Sequence, residues 1–407
     1  MKTARALLLL SMALSAVDAG ASREVAITID DLPRGGDAAD KEGRTFREIR
    51  GMTERLLAPF GEQQIPVTGF VHPGRTELAA PDLRRILDLW LDAGAELGNH
   101  TWSHADLNRT PVADYEQDIL KAEAFLRPVV EAHGKKLEFF RYPMLHAGPT
   151  AESKRAIQEF LAAHHYRNAP VTFDDSDYMF AALYTHSEYR ARVAREYVPY
   201  LESVVAFFEK RSVEVVGREF PQIMLLHANE LNSRMMPDIL DMFRRRGYRF
   251  ISLDEALKDS AYKLPESYVG AGGFSWIHRW SMTKGMPNKG EPDEPEWVRK
   301  AFTEEFAKPA RLVRPVSGAV LQTSGLPIAQ ALVAQLGYDG FAGRAILPGN
   351  PACCGQNWPP HKPSYAKPHR LPSSVKHPTA PSRLIGVGDF AEPPEFLTLA
   401  QGVVFAA

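Results

Sequence analysis

Seven short apolar runs, separated by longer segments with helical periodicity, constrain the fold of this chain more than any other feature. Between the runs, apolar residues recur at three- and four-residue spacing, as they do in an amphipathic helix. Strands and helices that alternate in this way indicate a parallel sheet covered by helices. Seven such units predict an α/β fold with a closed or nearly closed barrel. The seven predicted strands are Val25–Ile29, Pro66–Val71, Ala95–Gly98, Leu137–Phe140, Tyr166–Thr172, Gln222–Leu226 and Tyr248–Ser252.

The 407 residues divide into four predicted segments. Residues 1–21 carry two basic residues, an apolar run and small residues, which is typical of a secretory signal peptide. Residues 24–265 are expected to form the barrel, and residues 266–300 a C-terminal extension that packs on it. Residues 301–407 are rich in proline and lack the strand–helix alternation, which predicts a poorly ordered tail of unknown function.

The charge balance limits the kinds of partner that the chain is expected to bind. The formal net charge is -2, so no basic excess favours nucleic acid or an anionic membrane surface. The apolar run of the predicted signal peptide is too short to span a bilayer. We therefore expect an exported protein, periplasmic or extracellular, without a membrane span after signal cleavage. The oligomeric state stays open.

Ionisable residues follow five of the predicted strands. Active sites of parallel α/β folds lie at the carboxyl ends of the strands, where the connecting loops meet. The coincidence of the two patterns predicts a reaction centre at that end of the barrel. The segments concerned are Asp30-Asp31, Asn99–His104, Arg141–Pro143, Asp174–Tyr178 and His227.

Asp30-Asp31 and the pair His100/His104 predict a metal site. Two adjacent carboxylates at a buried strand end repel each other, and a bound cation relieves that repulsion. Taken alone, the Asp pair is more typical of a turn or a helix cap than of a metal site. His100 and His104 are four residues apart, so one helical turn would place both imidazoles on the same side. Two imidazoles and one carboxylate make a three-ligand site with open positions, as in catalytic zinc sites.

Arg141 and His227 are expected to complete this centre. A guanidinium at a strand end beside acidic loops would orient a carboxylate and keep it ionised. His227 follows an apolar run, and its position at a strand end favours a role in proton transfer. His146 could also line the site. The aromatic residues of 276–280 could form a platform for a sugar ring, although packing on the barrel is the preferred interpretation.

These motifs resemble, in the same order, the five motifs of the polysaccharide deacetylases, the NodB-homology group of the family 4 carbohydrate esterases. The resemblance covers about residues 24–262 and implies a deformed (β/α)7 barrel. Three positions depart from the family pattern, with Leu32 in place of Gly, Met144 in place of Tyr and Tyr178 in place of Trp. The matching segments are Thr28–Pro33, His100–His104, Arg141–Met144, Asp174–Tyr178 and Leu225–His227.

The resemblance also implies a role for each site residue. The metal ligands would be Asp31, His100 and His104, and the divalent ion is expected to be Zn²⁺, with Co²⁺ or Mn²⁺ as alternatives. Asp30, oriented by Arg141, would be the general base. His227 would be the general acid, held by Asp174 or, as the alternative, by Asp177. The ion, together with the backbone N–H of Met144, would stabilise the oxyanion.

The implied reaction is removal of N-acetyl groups from an amino-sugar polysaccharide of the chitin or peptidoglycan kind. One alternative keeps the same residues but hydrolyses O-acetyl esters of xylan or a similar glycan. An alternative from another class is a non-catalytic barrel that retains the metal and only binds glycan. The retention of Asp30, Arg141 and His227 disfavours the last alternative, because binding alone requires neither a base nor an acid.

Overall fold

The computed structural model describes residues 23–35 and 45–307. The predicted signal peptide (residues 1–21) lies outside the described residues. So does the predicted tail from residue 308 onward. Residues 301–307 continue a helix across the expected boundary at residue 300.

Seven strands form one parallel sheet, which confirms the predicted fold class of a deformed (β/α)7 barrel. Each predicted strand overlaps an observed one, although the fourth, fifth and seventh strands are shorter than expected. The strands are β1 Arg23–Leu32, β2 Val67–Val71, β3 Glu96–Asn99, β4 Phe139–Phe140, β5 Arg167–Asn168, β6 Gln222–His227 and β7 Tyr248–Phe250.

Helices follow most strands and cover the outside of the sheet. They are α1 Phe46–Gln63, α2 Ala80–Asp92, α3 Val112–Ala132, α4 Ala151–Ala163, α5 Asp177–Tyr184, α6 Ser187–Val216, α7 Glu230–Arg245, α8 Leu253–Ala256, α9 Trp276–Thr283 and α10 Glu296–Ala307. Helix α2 shows how the sequence encodes this layer. Its inward-facing residues are each no more than 3% exposed, and they are Leu83, Ile86, Leu87, Trp90 and Leu91.

The two edges of the sheet meet at one isolated bridge and the hydrogen bonds beside it. The strand order is β5-β4-β3-β2-β1-β6, with β7 paired to the start of β1. The chain that leaves β5 forms an isolated parallel bridge from Phe173 to Met224 of β6. Two hydrogen bonds flank this bridge, from the Phe173 N–H to the Ile223 carbonyl and from the Leu225 N–H to the Phe173 carbonyl, both at 3.0 Å. We call this bridge the seam.

The core lies inside the barrel and between the sheet and the helices. Val25, Ile27 and Ile29 of β1 are at most 1% exposed, and so is Ala26, which alternates with them on the other face. A strand buried on both faces is typical of parallel sheets, and it explains why β1 is visible in the sequence as a continuous apolar run.

The segment after the barrel packs against it through buried side chains. Trp276 and Trp280 of α9 are 8% and 1% exposed, in agreement with packing rather than an open aromatic platform. In the part of the chain that the structure describes, no helix is both long and apolar enough to span a membrane.

Candidate active site

The adjacent carboxylates of Asp30 and Asp31 lie at an irregular point near the end of β1. The register between β1 and β2 shifts between Ile29 and Leu32. Asp31 has a φ of 64°, in the left-handed region that residues other than glycine seldom adopt. A shift of this kind changes the direction of side chains that would otherwise alternate across the strand. The two carboxylates consequently contact different sets of partners.

Asp30 is paired with the buried guanidinium of Arg141. The Arg141 Nη1 atom donates to Asp30 Oδ1 at 2.7 Å, and the same nitrogen lies 2.7 Å from Thr28 Oγ1. Arg141 Nε also donates to the Ala169 carbonyl at 3.1 Å, so the guanidinium is fixed on several sides. Burial raises the pKa of Asp30 to about 6, although the charge of Arg141 opposes that rise. A carboxyl group with this pKa is ionised at neutral pH and can still accept a proton.

Asp31 is surrounded by imidazoles. The distances from Asp31 Oδ1 to the Nε2 atoms of His104 and His100 are 3.2 and 3.6 Å. This oxygen is buried and accepts no hydrogen bond from the described residues. Burial alone would raise the pKa of Asp31, but His104 beside it holds that pKa well below its ordinary value.

The set Asp31, His100 and His104 fits a divalent cation. One ligand atom from each residue lies within 4.8 Å of the other two, and all three residues are buried. The His100 Nδ1 atom is 2.8 Å from the Arg141 carbonyl, which leaves its Nε2 atom on the side of Asp31. Burial also holds the pKa of His100 well below its ordinary value, so the ring is neutral, as a metal ligand must be. An orphaned buried carboxylate oxygen beside two buried imidazoles is a donor set suited to zinc.

The two histidines converge through a left-handed loop rather than a helical turn, so the expected mechanism of their convergence is wrong. Thr101 and His104 have φ values of 62° and 56°. The side chain of Asn99 stabilises this path, because its Oδ1 accepts from the Thr101 N–H at 2.8 Å. Thr101 Oγ1 in turn accepts from the Ala105 N–H at 3.0 Å. These side-chain bonds replace the backbone bonds that a helix would have made.

His72 is a site residue that the sequence analysis missed. It follows β2 directly, is 3% exposed, and its Nε2 atom lies 3.4 Å from Asp31 Oδ1. Its ring meets that of His104 edge-on, with centroids 5.5 Å apart. Burial lowers the pKa of His72 to about 4, so the ring is neutral. The strand-end criterion, applied to β2 as it was to the other strands, would have found it.

His227, at the end of β6, is held by Asp177 and not by Asp174. The His227 Nδ1 atom lies 2.7 Å from Asp177 Oδ1, and the His227 N–H donates to Asp177 Oδ2 at 2.9 Å. Asn232 Nδ2 donates to the same Oδ2 at 2.6 Å. Asp177 is the first residue of α5, and this position brings its carboxylate into contact with His227. The expectation of Asp174 as the partner is therefore corrected to the alternative, Asp177.

The pKa of His227 reflects this ion pair. Burial would lower it, but the charge of Asp177 and the hydrogen bond to it raise the pKa to about 10. Asp174 lines the same hollow as His227, and its Oδ1 is buried without a partner among the described residues. Burial, with Glu291 as the next cause, raises the pKa of Asp174 to about 8. Asp174 is thus largely protonated at neutral pH.

The site encloses a small hollow of about 20 Å³. That volume is sufficient for one water molecule. The hollow is lined by Asp30, His100, His104, Met144, Leu145, Asp174, Asp175, Tyr178, Leu225 and His227. All the predicted site residues except Asp31 and Arg141 line it, and those two contact lining residues directly.

Met144 and Leu145 form one side of the hollow in an unusual conformation. Their φ values are 54° and 53°, within a single 3₁₀ turn at Pro143–Leu145. Two consecutive left-handed residues that are not glycine are a strained arrangement, which surrounding contacts must maintain. Nothing in the residue types predicts it. His146 lies beside this turn and pairs with Asp106, with its Nδ1 2.8 Å from Asp106 Oδ1.

Comparison with known proteins identifies the class to which these residues are similar. Residues 18–161 match a family model described as polysaccharide deacetylase, which confirms the resemblance inferred from the motifs. The matched range contains the first three motifs. A search of curated protein sequences found no match.

Several solved structures resemble this chain at low identity. A family 4 carbohydrate esterase from Streptomyces lividans, in complex with acetate, is 17% identical over 57% of this chain and 95% of its own, with a TM-score of 0.37. A mutant of the peptidoglycan deacetylase PdaC from Bacillus subtilis is 18% identical over 60% of this chain and 95% of its own, with a TM-score of 0.37. A family 4 pseudoenzyme from Bacillus anthracis is 15% identical over 58% of this chain and 66% of its own, with a TM-score of 0.38.

Proposed function

We propose, with the polysaccharide deacetylase match of residues 18–161 as the premise, that this protein is a metal-dependent hydrolase that removes N-acetyl groups from amino-sugar polysaccharides. The observation that carries the proposal is the presence of a base and an acid on one hollow. Asp30, with a pKa of about 6, and His227, with a pKa of about 10, both line it. Hydrolysis of an amide needs both groups, because water must lose a proton and the amine must gain one.

Asp31, His100 and His104 are proposed to hold the divalent ion, with Zn²⁺ as the expected metal. The bound ion would supply Lewis-acid polarisation of the acetyl carbonyl and would lower the pKa of a nearby water. His72 is proposed to support Asp31 from the side of β2, at 3.4 Å. The Arg141 carbonyl is proposed to orient His100 through the contact at 2.8 Å.

Asp30 is proposed to accept the proton of the attacking water. Its pairing with Arg141 at 2.7 Å supports this role in two ways, since it fixes the carboxylate and favours the ionised form. Burial acts in the opposite direction and keeps the carboxylate basic enough to accept a proton. Met144 lines the same hollow, and its backbone N–H is proposed as a donor to the oxyanion.

His227 is proposed to protonate the departing amine. The ion pair with Asp177 keeps His227 protonated through the neutral range, so the proton is available before the bond breaks. An amine leaves poorly without that proton, whereas the alcohol of an ester depends on it less. The buried ion pair with Asp177 keeps His227 charged, and this favours the amide over the ester as the bond that is cleaved.

A screen of acetate release tests the proposal. The protein, loaded in turn with Zn²⁺, Co²⁺ and Mn²⁺, would be incubated with chitooligosaccharides, peptidoglycan and acetylxylan, with Asp30→Asn as the control. We expect acetate from at least one N-acetylated glycan and almost none from Asp30→Asn. Glycan binding without acetate release under any of these conditions would refute the proposal in favour of a binding barrel. Release from acetylxylan alone would assign the ester instead.

A further inference from the structure

The segment that follows the barrel contacts the active-site turn at Pro143–Leu145 directly. Arg279 Nη2 donates to the Leu145 carbonyl at 2.5 Å. A methyl group built on Gly273 would lie 2.0 Å from the Met144 carbonyl oxygen, so the two backbones touch. Asn108 Nδ2, on the loop after His104, donates to the Ala271 carbonyl at 2.9 Å. Three separate contacts thus join residues 271–279 to the loops that carry site residues.

Arg279 is buried, and contacts on several sides of its guanidinium fix its position. It is 1% exposed, and its Nε donates to the Phe274 carbonyl at 2.9 Å. The guanidinium lies 4.6 Å from the ring centroid of Trp276. Its Nη1 is 4.0 Å from a carboxylate oxygen of Glu266, a loose contact for a buried charge. One guanidinium therefore ties two carbonyls together, one in the extension and one in the active-site turn.

The turn needs such support because its backbone is strained. Met144 and Leu145, both left-handed, would relax toward ordinary φ values if nothing held them. The same two residues form a wall of the hollow that contains Asp30 and His227. A displacement of the turn would move the Met144 N–H, and a misplacement of about 1 Å in a catalytic group can cost about 100-fold in rate.

We propose that Arg279 and Gly273 are positioning residues for the reaction, and that the segment 271–279 is a working part of the active site. Arg279 holds the Leu145 carbonyl, and the missing side chain of Gly273 lets the extension approach the Met144 carbonyl. Together they keep the Met144 N–H directed at the reacting carbonyl. This inference rests on the proposed deacetylase function, and it extends the site beyond the residues matched by the family model.

The experiment compares variants of two buried arginines that anchor the same extension. Arg279→Gln and Gly273→Ala disturb the contact with the turn. Arg211→Gln is the matched control, because Arg211 is 7% exposed and donates to Ser281 Oγ and to the Pro287 carbonyl without contacting the turn. Gly61→Ala is the control for the added methyl group, since nothing lies within 4 Å of that position. Each variant would be purified with its metal, and its metal content measured.

We expect Arg279→Gln and Gly273→Ala to lower kcat by about 10- to 100-fold, with KM changed less than about threefold and metal content unchanged. Arg279→Lys should recover part of kcat, because it keeps a cation that can donate to the Leu145 carbonyl. Arg211→Gln should lower the melting temperature but keep kcat within about twofold at a temperature where it is folded. Equal loss of kcat in the Arg211 and Arg279 variants would overturn the proposal, because the extension would then act through stability alone.

Hydrogen exchange gives a second readout that does not depend on activity. We expect the peptide covering residues 142–147 to exchange faster in Arg279→Gln than in Arg211→Gln, with other barrel peptides unchanged. A wild-type protein that releases no acetate, but shows this exchange pattern, would refute the deacetylase function and leave the support of the turn established. Unchanged exchange in Arg279→Gln would overturn the positioning role even in an active enzyme.

Discussion

Replacing Asp177 with Asn removes the charge that keeps His227 protonated while preserving the size of the side chain. In the wild-type protein, the ion pair at 2.7 Å raises the pKa of His227 to about 10 against the opposing effect of burial. Without the charge, burial remains and the pKa of His227 should fall to its ordinary value of about 6.5 or below. The proposed acid would then be largely deprotonated above about pH 7.

The size of the effect follows from the protonated fraction of His227. With a pKa of about 6.5, only about 3% of the imidazole is protonated at pH 8, against nearly all of it in the wild-type protein. Release of acetate from an N-acetylated glycan should therefore fall about 30-fold at pH 8 and less than about twofold at pH 6. The sign is that of a required acid, since activity is lost as the pH rises through its pKa.

The assay measures kcat/KM for a chitooligosaccharide from pH 5 to pH 11, in the wild-type protein and in Asp177→Asn. Wild-type activity should rise through about pH 6 as Asp30 ionises, and fall near pH 10 as His227 loses its proton. In Asp177→Asn the fall in activity at high pH should begin below pH 7, so that only a narrow pH range of full activity remains. An aryl acetate, whose leaving group needs no proton, should keep most of its rate in both proteins.

Asp174→Asn is the matched control, because Asp174 lines the same hollow but makes no hydrogen bond to His227. Its pKa of about 8 means that the carboxyl group is mostly neutral at pH 7, and Asn resembles that neutral form. This variant should keep the upper limit near pH 10. The reasoning is refuted if Asp177→Asn retains the wild-type upper limit, or if Asp174→Asn shifts it by as much.

Three further predictions concern the base and the metal site. Asp30→Asn should lower acetate release at least about 100-fold in the zinc-loaded protein while bound metal stays the same; loss of the metal together with activity would point to a ligand instead. His72→Phe should weaken zinc binding about tenfold in competition with a chromophoric chelator, and an unchanged affinity would exclude support of Asp31 by His72. Removal of the metal should lower the melting temperature by about 5 to 10 °C relative to the protein in the presence of free metal at 100 times its Kd. Equal melting temperatures with and without the metal would contradict a metal site.

The barrel was predictable because its central strands are buried on both faces and appear as continuous apolar runs. This holds for β1 and β6, whose apolar residues are at most 5% exposed. The fifth strand was predicted too long, since only Arg167 and Asn168 pair as a strand before the chain turns toward the seam. Pairing of that kind depends on a distant partner, Met224, which local sequence does not specify.

Most of the site residues were predictable, and so was the pairing of Asp30 with Arg141, but the partner of His227 was not. A run of acidic residues ends in α5, and the partner of His227 is decided by which carboxylate lies at the start of that helix. No residue type in the sequence predicts the left-handed φ values of Thr101, Met144 and Leu145, because none of them is glycine or asparagine. A distant residue contacts the turn at Leu145, because Arg279 donates to the Leu145 carbonyl, whereas Asn99 stabilises Thr101 from two residues away.

The seam has a consequence for the behaviour of the molecule in alkali. His227 belongs to β6 and Asp177 to the chain that arrives from β5, so their ion pair joins the two edges of the sheet near the seam. The raised pKa of His227 means that the pair stabilises the folded state fully below about pH 6.5, and that this contribution disappears as the pH rises through about 10. Loss of the proton proposed for catalysis and loss of this stabilisation of the barrel are therefore the same titration. Alkaline inactivation should begin with local opening between β5 and β6, before the rest of the sheet unfolds.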